Sequence, residues 1–274
     1  MSHVTLPPLP QARPRFGRPR RSFATFRSVV ALILREMSTQ YGRNPGGYIW
    51  ALLEPLGSII MMSLGFSLLI REPPLGTSFL LFYATGTMPF GLFSEISTTT
   101  GRALQFSRPL LAYPAVTWAD AIIARFVLNS LTEVAVSTIL MTGIVIWIGG
   151  LSVLDLWPVL ESAGLAAVLG LGIGCMNAVI SGLYPTWTMV WSILTRPLMI
   201  ASGVIFLYTD LPRAAQDILW YNPLVHVIGL MRSGFYPMYH PDYVSRVYVL
   251  CWALPLIALG LLLLRRYHKE ILSN

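Results

Sequence analysis

The sequence is poor in charge and contains one lysine and two cysteines. Charged residues account for 11% of its 274 positions, whereas soluble globular domains contain roughly 25%. Hydrophobic residues make up 55%, more than the core of a soluble domain takes up. They fall in separate runs of about 20 residues, the length that crosses a hydrocarbon layer of roughly 30 Å. This composition excludes an ordinary soluble domain and predicts an integral membrane protein.

The sequence also lacks the motifs of common enzyme classes. Lys269, the single lysine, has no GxxxxGK motif before it, and a nucleotide-binding P-loop requires that lysine. There is no HExxH motif and no GxSxG elbow, so neither a zinc-peptidase nor a hydrolase site is predicted. The four histidines are scattered at His3, His226, His240 and His268. We therefore predict no catalytic residue, no metal site and no cofactor bound by this chain.

Small residues inside the apolar runs predict close helix packing. Cys175 and Cys251 both lie within such runs, so we expect two buried thiols and no disulfide framework. Gly170 and Gly174 form a GxxxG pair, a spacing that lets membrane helices approach closely. Gly172, between them, does not complete a nucleotide-binding motif, because no strand and turn precede it.

The order of apolar and polar segments predicts an all-α integral membrane fold. We expect about six transmembrane helices, at 48–70, 78–96, 121–147, 160–184, 188–207 and 247–264. Cytoplasmic tails are predicted at 1–22, which is basic and rich in proline, and at 265–274. Before the last span, apolar stretches too short to cross are interrupted by Asn222-Pro223 and Gly229. This segment is predicted to be a re-entrant or interfacial helical segment.

The segment 23–41 is predicted to form an amphipathic helix at the membrane surface. Its apolar residues recur at helical spacing, and they are Phe23, Phe26, Val30, Ile33, Met37 and Tyr41. Arg27 and Arg35 fall outside this stripe. The helix is too polar to cross a bilayer, so it is expected to lie in the interface.

The distribution of the 19 basic residues predicts the orientation. Most of them fall in the N-terminal region, the connection after the second predicted span and the C-terminal tail. With those segments inside, the outer side holds only Arg71, Arg213, Arg232 and Arg246. Cytoplasmic segments are enriched in arginine and lysine, so both termini are predicted to be cytoplasmic.

The ionisable residues considered within the predicted spans are Glu54, Glu95, Arg125, Glu133 and Arg196. Arg125 opens the third span and is expected to extend toward the cytoplasmic headgroups. Glu95 lies near a span end, where its carboxylate can reach the interface. Glu54, Glu133 and Arg196 lie deeper, and two interpretations stay open: an internal salt bridge that fixes helix packing, or the polar lining of a translocation path.

Several segments together resemble the membrane (permease) subunit of ABC-type capsular polysaccharide exporters. The resemblance runs from about Phe23 to the C-terminus. The most specific segment is LREMSTQYGR at 34–43 leading into GYIWALLEP at 47–55. Further segments are TGTMPF at 85–90, LAYPAVT at 111–117, and Arg196-Pro197-Leu198 followed by Ser202-Gly203.

The resemblance implies a homodimer in a bacterial inner membrane, with the translocation path between the subunits. Two copies of a separate ATP-binding subunit would carry ATP and Mg²⁺. A periplasmic adaptor and an outer-membrane export channel are further implied partners, the substrate is a lipid-linked polysaccharide, and no nucleic acid is involved.

The resemblance also implies residues on the cytoplasmic side. Contacts with the ATP-binding subunit are expected from a short coupling helix within 101–117, at Arg102, Arg108, Pro109, Tyr113 and Pro114. The interface helix before the first span is expected to contribute Phe26, Arg27, Arg35, Tyr41 and Arg43.

Two further residue sets are predicted, one within the membrane from its charges and aromatic rings, and one on the outer side from the resemblance. Aromatic rings there either form ordinary interfacial belts or face inward and cover the apolar faces of sugar rings. The candidate path comprises Trp50, Glu54, Phe90, Glu133, Trp191 and Arg196. A candidate periplasmic gate within 213–236 comprises Trp220, Tyr221, Arg232, Phe235 and Tyr236.

Three other functions remain open at this point. The first is export of O-antigen or a teichoic-type glycan by the same mechanism, because the sequence does not distinguish these substrates from capsular polysaccharide. A membrane-embedded glycan-processing enzyme needs clustered acidic residues, whereas the loop carboxylates here are dispersed, at Asp155, Glu161, Asp210, Asp217 and Asp242. An ion-coupled transporter is supported only by the carboxylates of Glu54 and Glu133.

Overall fold

The computed structural model describes residues 24–40, 47–111, 116–150 and 153–273. Regular secondary structure in these ranges is entirely helical, as predicted. The predicted tail 1–22 lies outside the described residues, as do Phe23, Tyr41, Arg43, Tyr113 and Pro114. The helices are α1 Ala24–Gln40, α2 Gly47–Ser67, α3 Phe79–Gly101, α4 Ala103–Leu111, α5 Trp118–Trp147, α6 Leu156–Leu183, α7 Trp187–Ala201, α8 Arg213–Leu219, α9 Pro223–Phe235 and α10 Arg246–Ser273.

Four of the described helices, α2, α5, α6 and α10, are long and apolar enough to cross a membrane. Two other helices, α3 and α7, run between the same two ends of the bundle. We call these the α4 end and the α9 end, after the helices that lie there. At the α4 end, the Ser181 hydroxyl at the end of α6 donates to the carbonyl of Gly101 at the end of α3. At the α9 end, the Asn222 side chain donates to the carbonyl of Ala201 at the end of α7.

Capping side chains set the helix starts. Thr117 and Asp120 form a capping box, which begins α5 at Trp118 rather than at 121. Asp155 accepts from the backbone N–H of Trp157, so α6 begins at Leu156 rather than near 160. Such caps satisfy backbone N–H groups that have no partner within the helix. At the other end of the chain, α10 continues through the basic run after Leu264 to Ser273.

The α7 helix is shorter than the predicted segment 188–207. It ends at Ala201, and Gly203 then adopts a φ of +81°, a conformation that costs glycine little. Its 15 residues extend for about 22 Å, less than the roughly 30 Å of a hydrocarbon core. The chain continues through an irregular segment in which Val204 and Leu207 are buried.

The centre of the bundle is α3, which packs against α2, α5, α6 and α9. On α6, a Cβ atom added to Gly170 lies 3.0 Å from the carbonyl oxygen of Phe93, and one added to Gly174 lies 2.7 Å from Thr100 Cβ. The GxxxG pair is therefore a close contact between α6 and α3, as predicted. Gly172, on another face of α6, lies equally close to the Ala253 carbonyl of α10.

The two cysteines differ in their surroundings. Both are free thiols, but Cys175 is buried and Cys251 is exposed on the outside of α10. The prediction of a second buried thiol is therefore wrong. An apolar run in a membrane helix has one face toward protein and another toward lipid, and composition does not distinguish them.

We predict that the same substitution has opposite effects at two glycines of α6. Gly174→Ala places a methyl group against Thr100, and overpacking of this kind costs about 1–3 kcal/mol. Gly164→Ala is the matched control, because a Cβ there meets nothing within 4 Å and alanine favours a helix by about 1 kcal/mol. Thermal unfolding in detergent should show a lower midpoint for Gly174→Ala only. Equal midpoints would contradict the α3–α6 contact.

Candidate translocation cavity and coupling network

A cavity of about 500 Å³ lies between α2, α3 and α5. Four of the six residues predicted for the translocation path line it: Trp50, Glu54, Phe90 and Glu133. Glu95, which the sequence placed near a span end, lines it as well. We call this space the carboxylate cavity, after Glu54, Glu95 and Glu133.

The lining of the carboxylate cavity combines hydrogen-bonding groups with flat apolar surfaces. Its three carboxylates come from three different helices, and serine and threonine hydroxyls lie among them, at Ser58, Thr87 and Ser94. The Trp50 side chain is 62% exposed. None of the described residues that line the cavity is basic. Chemically, this arrangement suits a ligand with many hydroxyl groups and apolar ring faces, since carboxylates accept hydrogen bonds from hydroxyls.

The other two predicted path residues do not line this cavity. Trp191 lines a separate space of about 30 Å³ near the α4 end, together with Asn177 and Trp187. The indole N–H of Trp187 donates to the Asn177 side chain at 2.9 Å. Arg196 is exposed on α7. The rotation of α7 about its axis, which the sequence does not reveal, accounts for both positions.

Arg125 joins four helices at the α4 end. It forms an ion pair with Glu36 of α1 and donates at 3.0 Å to the carbonyl of Thr99 on α3. Its guanidinium also lies 4.4 Å from the ring centre of Phe106 on α4. The Arg125 side chain is 6% exposed. The prediction that it extends to the membrane surface is therefore wrong. The sequence offered no signal for Glu36 as its partner.

A second cavity of about 350 Å³ surrounds this ion pair. We call it the arginine cavity, because Arg102 and Arg125 line it together with Glu36 and Glu95. Glu95 therefore borders both cavities. This shared residue places the ion pair directly beside the carboxylate cavity.

The predicted interface helix is α1, and three residues of its predicted apolar stripe are exposed, whereas Ile33 is half-buried. Phe26 is 67% exposed, Val30 and Met37 are also exposed, and Leu32 is buried. Arg27 and Arg35 are exposed on the same helix. An apolar stripe left open on a surface helix is the arrangement of a helix that lies on a membrane.

The coupling helix predicted within 101–117 corresponds to α4, with Arg102 at its start. Arg102, Arg108 and Pro109 are exposed, whereas Leu104 and Ser107 are buried. Tyr113 and Pro114, the other predicted contacts, lie outside the described residues. The α4 helix thus presents its basic residues on the outside of the α4 end.

The predicted gate segment comprises α8 and α9 at the opposite end. Trp220 lies between them, and its indole N–H donates to the carbonyl of Tyr243 at 3.3 Å. Tyr221 is exposed, whereas Phe235 and Tyr236 are buried in the bundle. The sequence did not indicate which of these side chains face inward, and the role of the segment as a gate stays a prediction.

Arg232 of α9 is buried and holds the irregular segment after α7. Its two terminal nitrogens donate at 3.0 Å each to the carbonyls of Val204 and Phe206. The guanidinium lies 4.2 Å from the ring centre of Phe82 on α3. Carbonyls released by a helix break need a partner inside the protein when no water is present. Arg232 supplies that partner.

The sequence of the chain matches the family model described as ABC-2 type transporter over residues 27–236. The chain belongs to this family. The matched range extends from α1 to the end of α9, so it includes both cavities and Arg232. The resemblance to transporter permeases that the sequence motifs predicted is confirmed.

Curated relatives of this ABC-2 transporter align along nearly their whole length. The polysialic acid transport protein KpsM of Escherichia coli is 32% identical over 249 residues, which cover 90% of this chain and 96% of KpsM. The capsule polysaccharide export inner-membrane protein CtrC of Neisseria meningitidis serogroup A is 27% identical, with 89% and 92% covered. BexB of Haemophilus influenzae, which has the same description, is 24% identical with the same coverage. These similarities identify a transporter membrane subunit rather than an enzyme.

We predict that Arg232→Gln lowers the free energy of unfolding of this ABC-2 transporter by about 3 kcal/mol, because hydrogen bonds to a charged group are lost and buried carbonyls remain unpaired. Arg213→Gln is the control, since Arg213 is exposed on the neighbouring α8 and surface changes usually stay within about 0.5 kcal/mol. Denaturant titration in mixed micelles measures both. A loss for Arg232→Gln no larger than that for Arg213→Gln would refute this role.

Proposed function

We propose that this chain is the membrane subunit of an ATP-driven exporter of lipid-linked capsular polysaccharide. It acts as a homodimer in a bacterial inner membrane. ATP and Mg²⁺ bind to two copies of a separate subunit, which presses on α1 and α4. A periplasmic adaptor and an outer-membrane channel continue the route. The names of the relatives KpsM, CtrC and BexB support the capsule substrate.

In this proposal α2, α3, α5, α6, α7 and α10 are the six membrane spans, and α8 and α9 form a re-entrant pair on the outer side. The basic residues on α1 and α4 support a cytoplasmic position for the α4 end. Both termini are then cytoplasmic. The irregular segment after α7 lies at membrane depth, where it is covered by α9.

The observation that carries the proposal is the lining of the carboxylate cavity. Glu54, Glu95 and Glu133 provide acceptors for sugar hydroxyls, and Trp50 offers a broad exposed ring to the apolar face of a sugar. The cavity lies among the helices of a transporter subunit. A second copy of the chain facing it would extend this lining into a path.

The test is reconstitution of the chain with its ATP-binding subunit in proteoliposomes supplied with a lipid-linked capsular glycan. ATP-dependent arrival of the glycan on the opposite face supports the proposal. Lipid-linked O-antigen and teichoic-type glycans are compared in the same assay, and faster transport of either would replace the capsule assignment. Enzymatic transfer of a glycan to an acceptor by the chain alone, without the ATP-binding subunit, would overturn the proposal.

Within that assay, Trp50→Ala should slow glycan transport about tenfold, equivalent to about 1.4 kcal/mol. The reason is that the exposed indole covers the sugar ring. Trp252→Ala is the matched control, because Trp252 is an exposed tryptophan of α10 and does not line the cavity. Similar rates for the two variants would rule out stacking at Trp50.

Replacement of both Arg102 and Arg108 by Glu should weaken docking of the ATP-binding subunit at least tenfold, since two exposed cations of α4 become anions. Insertion of the chain into the membrane should be unchanged. Arg71→Glu with Arg213→Glu is the control, because both arginines are exposed near the α9 end. Co-purification measures the effect, and unchanged recovery of the ATP-binding subunit would exclude this docking surface.

A further inference from the structure

The ion pair between Glu36 and Arg125 is the least exposed of the described salt bridges. The two side chains are 16% and 6% exposed, whereas those of Glu161 and Arg246 are 23% and 55% exposed. Removal of one partner of a buried pair leaves an uncompensated charge, so loss of this contact should disturb its two helices more than loss of a surface pair does. It joins α1, on the outside of the bundle, to α5.

Hydrogen bonds extend from Arg125 toward the carboxylate cavity along both α3 and α5. On α3, Arg125 binds the carbonyl of Thr99, and the Thr99 hydroxyl donates at 2.7 Å to the carbonyl of Glu95 one turn away. On α5, Asn129 donates at 2.8 Å to the carbonyl of Arg125. Glu133 follows on the same face, about 12 Å from Arg125 along the helix axis. The bonds on α3 therefore reach the backbone of Glu95, and the bond on α5 reaches Asn129, one turn before Glu133. Both glutamates line the cavity.

We propose that Arg125 is a positioning residue for transport: through Glu36 it converts displacement of α1 into movement of the α3 and α5 segments that carry Glu95 and Glu133. The inference rests on the proposed function, in which the ATP-binding subunit presses on α1. Because Arg125 contacts α1, α3 and α4 at once, α1 cannot move without carrying α3 and α5 or breaking the ion pair.

This role makes the ion pair a requirement for coupling rather than for ATP hydrolysis or glycan binding. Without it, α1 still receives the push of the ATP-binding subunit, but the cavity carboxylates no longer follow. Glu36→Gln and Arg125→Gln should each lower the amount of glycan transported per ATP hydrolysed at least fivefold. ATP hydrolysis should stay within twofold of the unmodified complex.

The charge-exchanged variant Glu36→Arg with Arg125→Glu separates coupling from mere stability. It restores the attraction between α1 and α5 but not the bond to the Thr99 carbonyl, because a carboxylate cannot donate there. Transport per ATP should therefore rise above that of either single variant. Glu161→Gln is the matched control, because it removes a Glu–Arg pair at 2.8 Å near the α9 end and should leave the ratio unchanged. An unchanged ratio in Glu36→Gln, or equal loss in Glu161→Gln, would overturn the proposal.

Hydrogen exchange of the chain alone in nanodiscs keeps the test independent of transport. Glu36→Gln should accelerate amide exchange at least tenfold in 95–102 and 125–133, whereas Glu161→Gln should not. Exchange that stays unchanged in both segments would overturn the linkage even where transport is intact. If the unmodified complex moves no glycan, the proposed function fails, and the exchange result still decides whether α1 is linked to the two helices.

Discussion

The structure depends on one constraint: backbone groups inside the bundle must find hydrogen-bond partners within the protein, because hydrocarbon supplies none. Side chains meet this requirement at several points where a helix ends or another helix crosses it. Ser181 binds the carbonyl of Gly101, and Ser162 binds that of Val227 at 2.7 Å. Arg232 binds two carbonyls beyond the end of α7. Polar residues are costly in an apolar sequence, but here they bind the backbone groups that are left free where a helix is interrupted or ends.

The same requirement explains why two of the arginines in the described ranges lie buried. Arg125 and Arg232 each bind backbone carbonyls of a distant segment and each lie over an aromatic ring, Phe106 and Phe82 respectively. Arginine suits this role because its planar fork carries five donors and stacks on rings. One arginine acts near the α4 end and the other near the α9 end. Each ties α3 to the helices that surround it.

The position of α3 brings these features together. It is held close to α6 by the glycines of the GxxxG pair, with no room for side chains between them. Its opposite face is then left to line the carboxylate cavity with Glu95 and Phe90. Glu95 also lines the neighbouring arginine cavity. The α3 helix thus packs densely on one side and lines an open, polar space on the other.

The sequence by itself determined the all-helical class, the transporter family and the close contact at Gly170 and Gly174, because these follow from local hydropathy, motif and spacing. Four of the residues that it predicted for a path, Trp50, Glu54, Phe90 and Glu133, line one cavity, and their role in transport stays a prediction. Only the tertiary structure decided that Glu95 joins them, that Trp191 and Arg196 lie elsewhere, and that Glu36 pairs with Arg125. The physical reason is that helix rotation and ion pairing between residues far apart in the chain are set by packing, and the periodicity of a single helix carries no record of its neighbours.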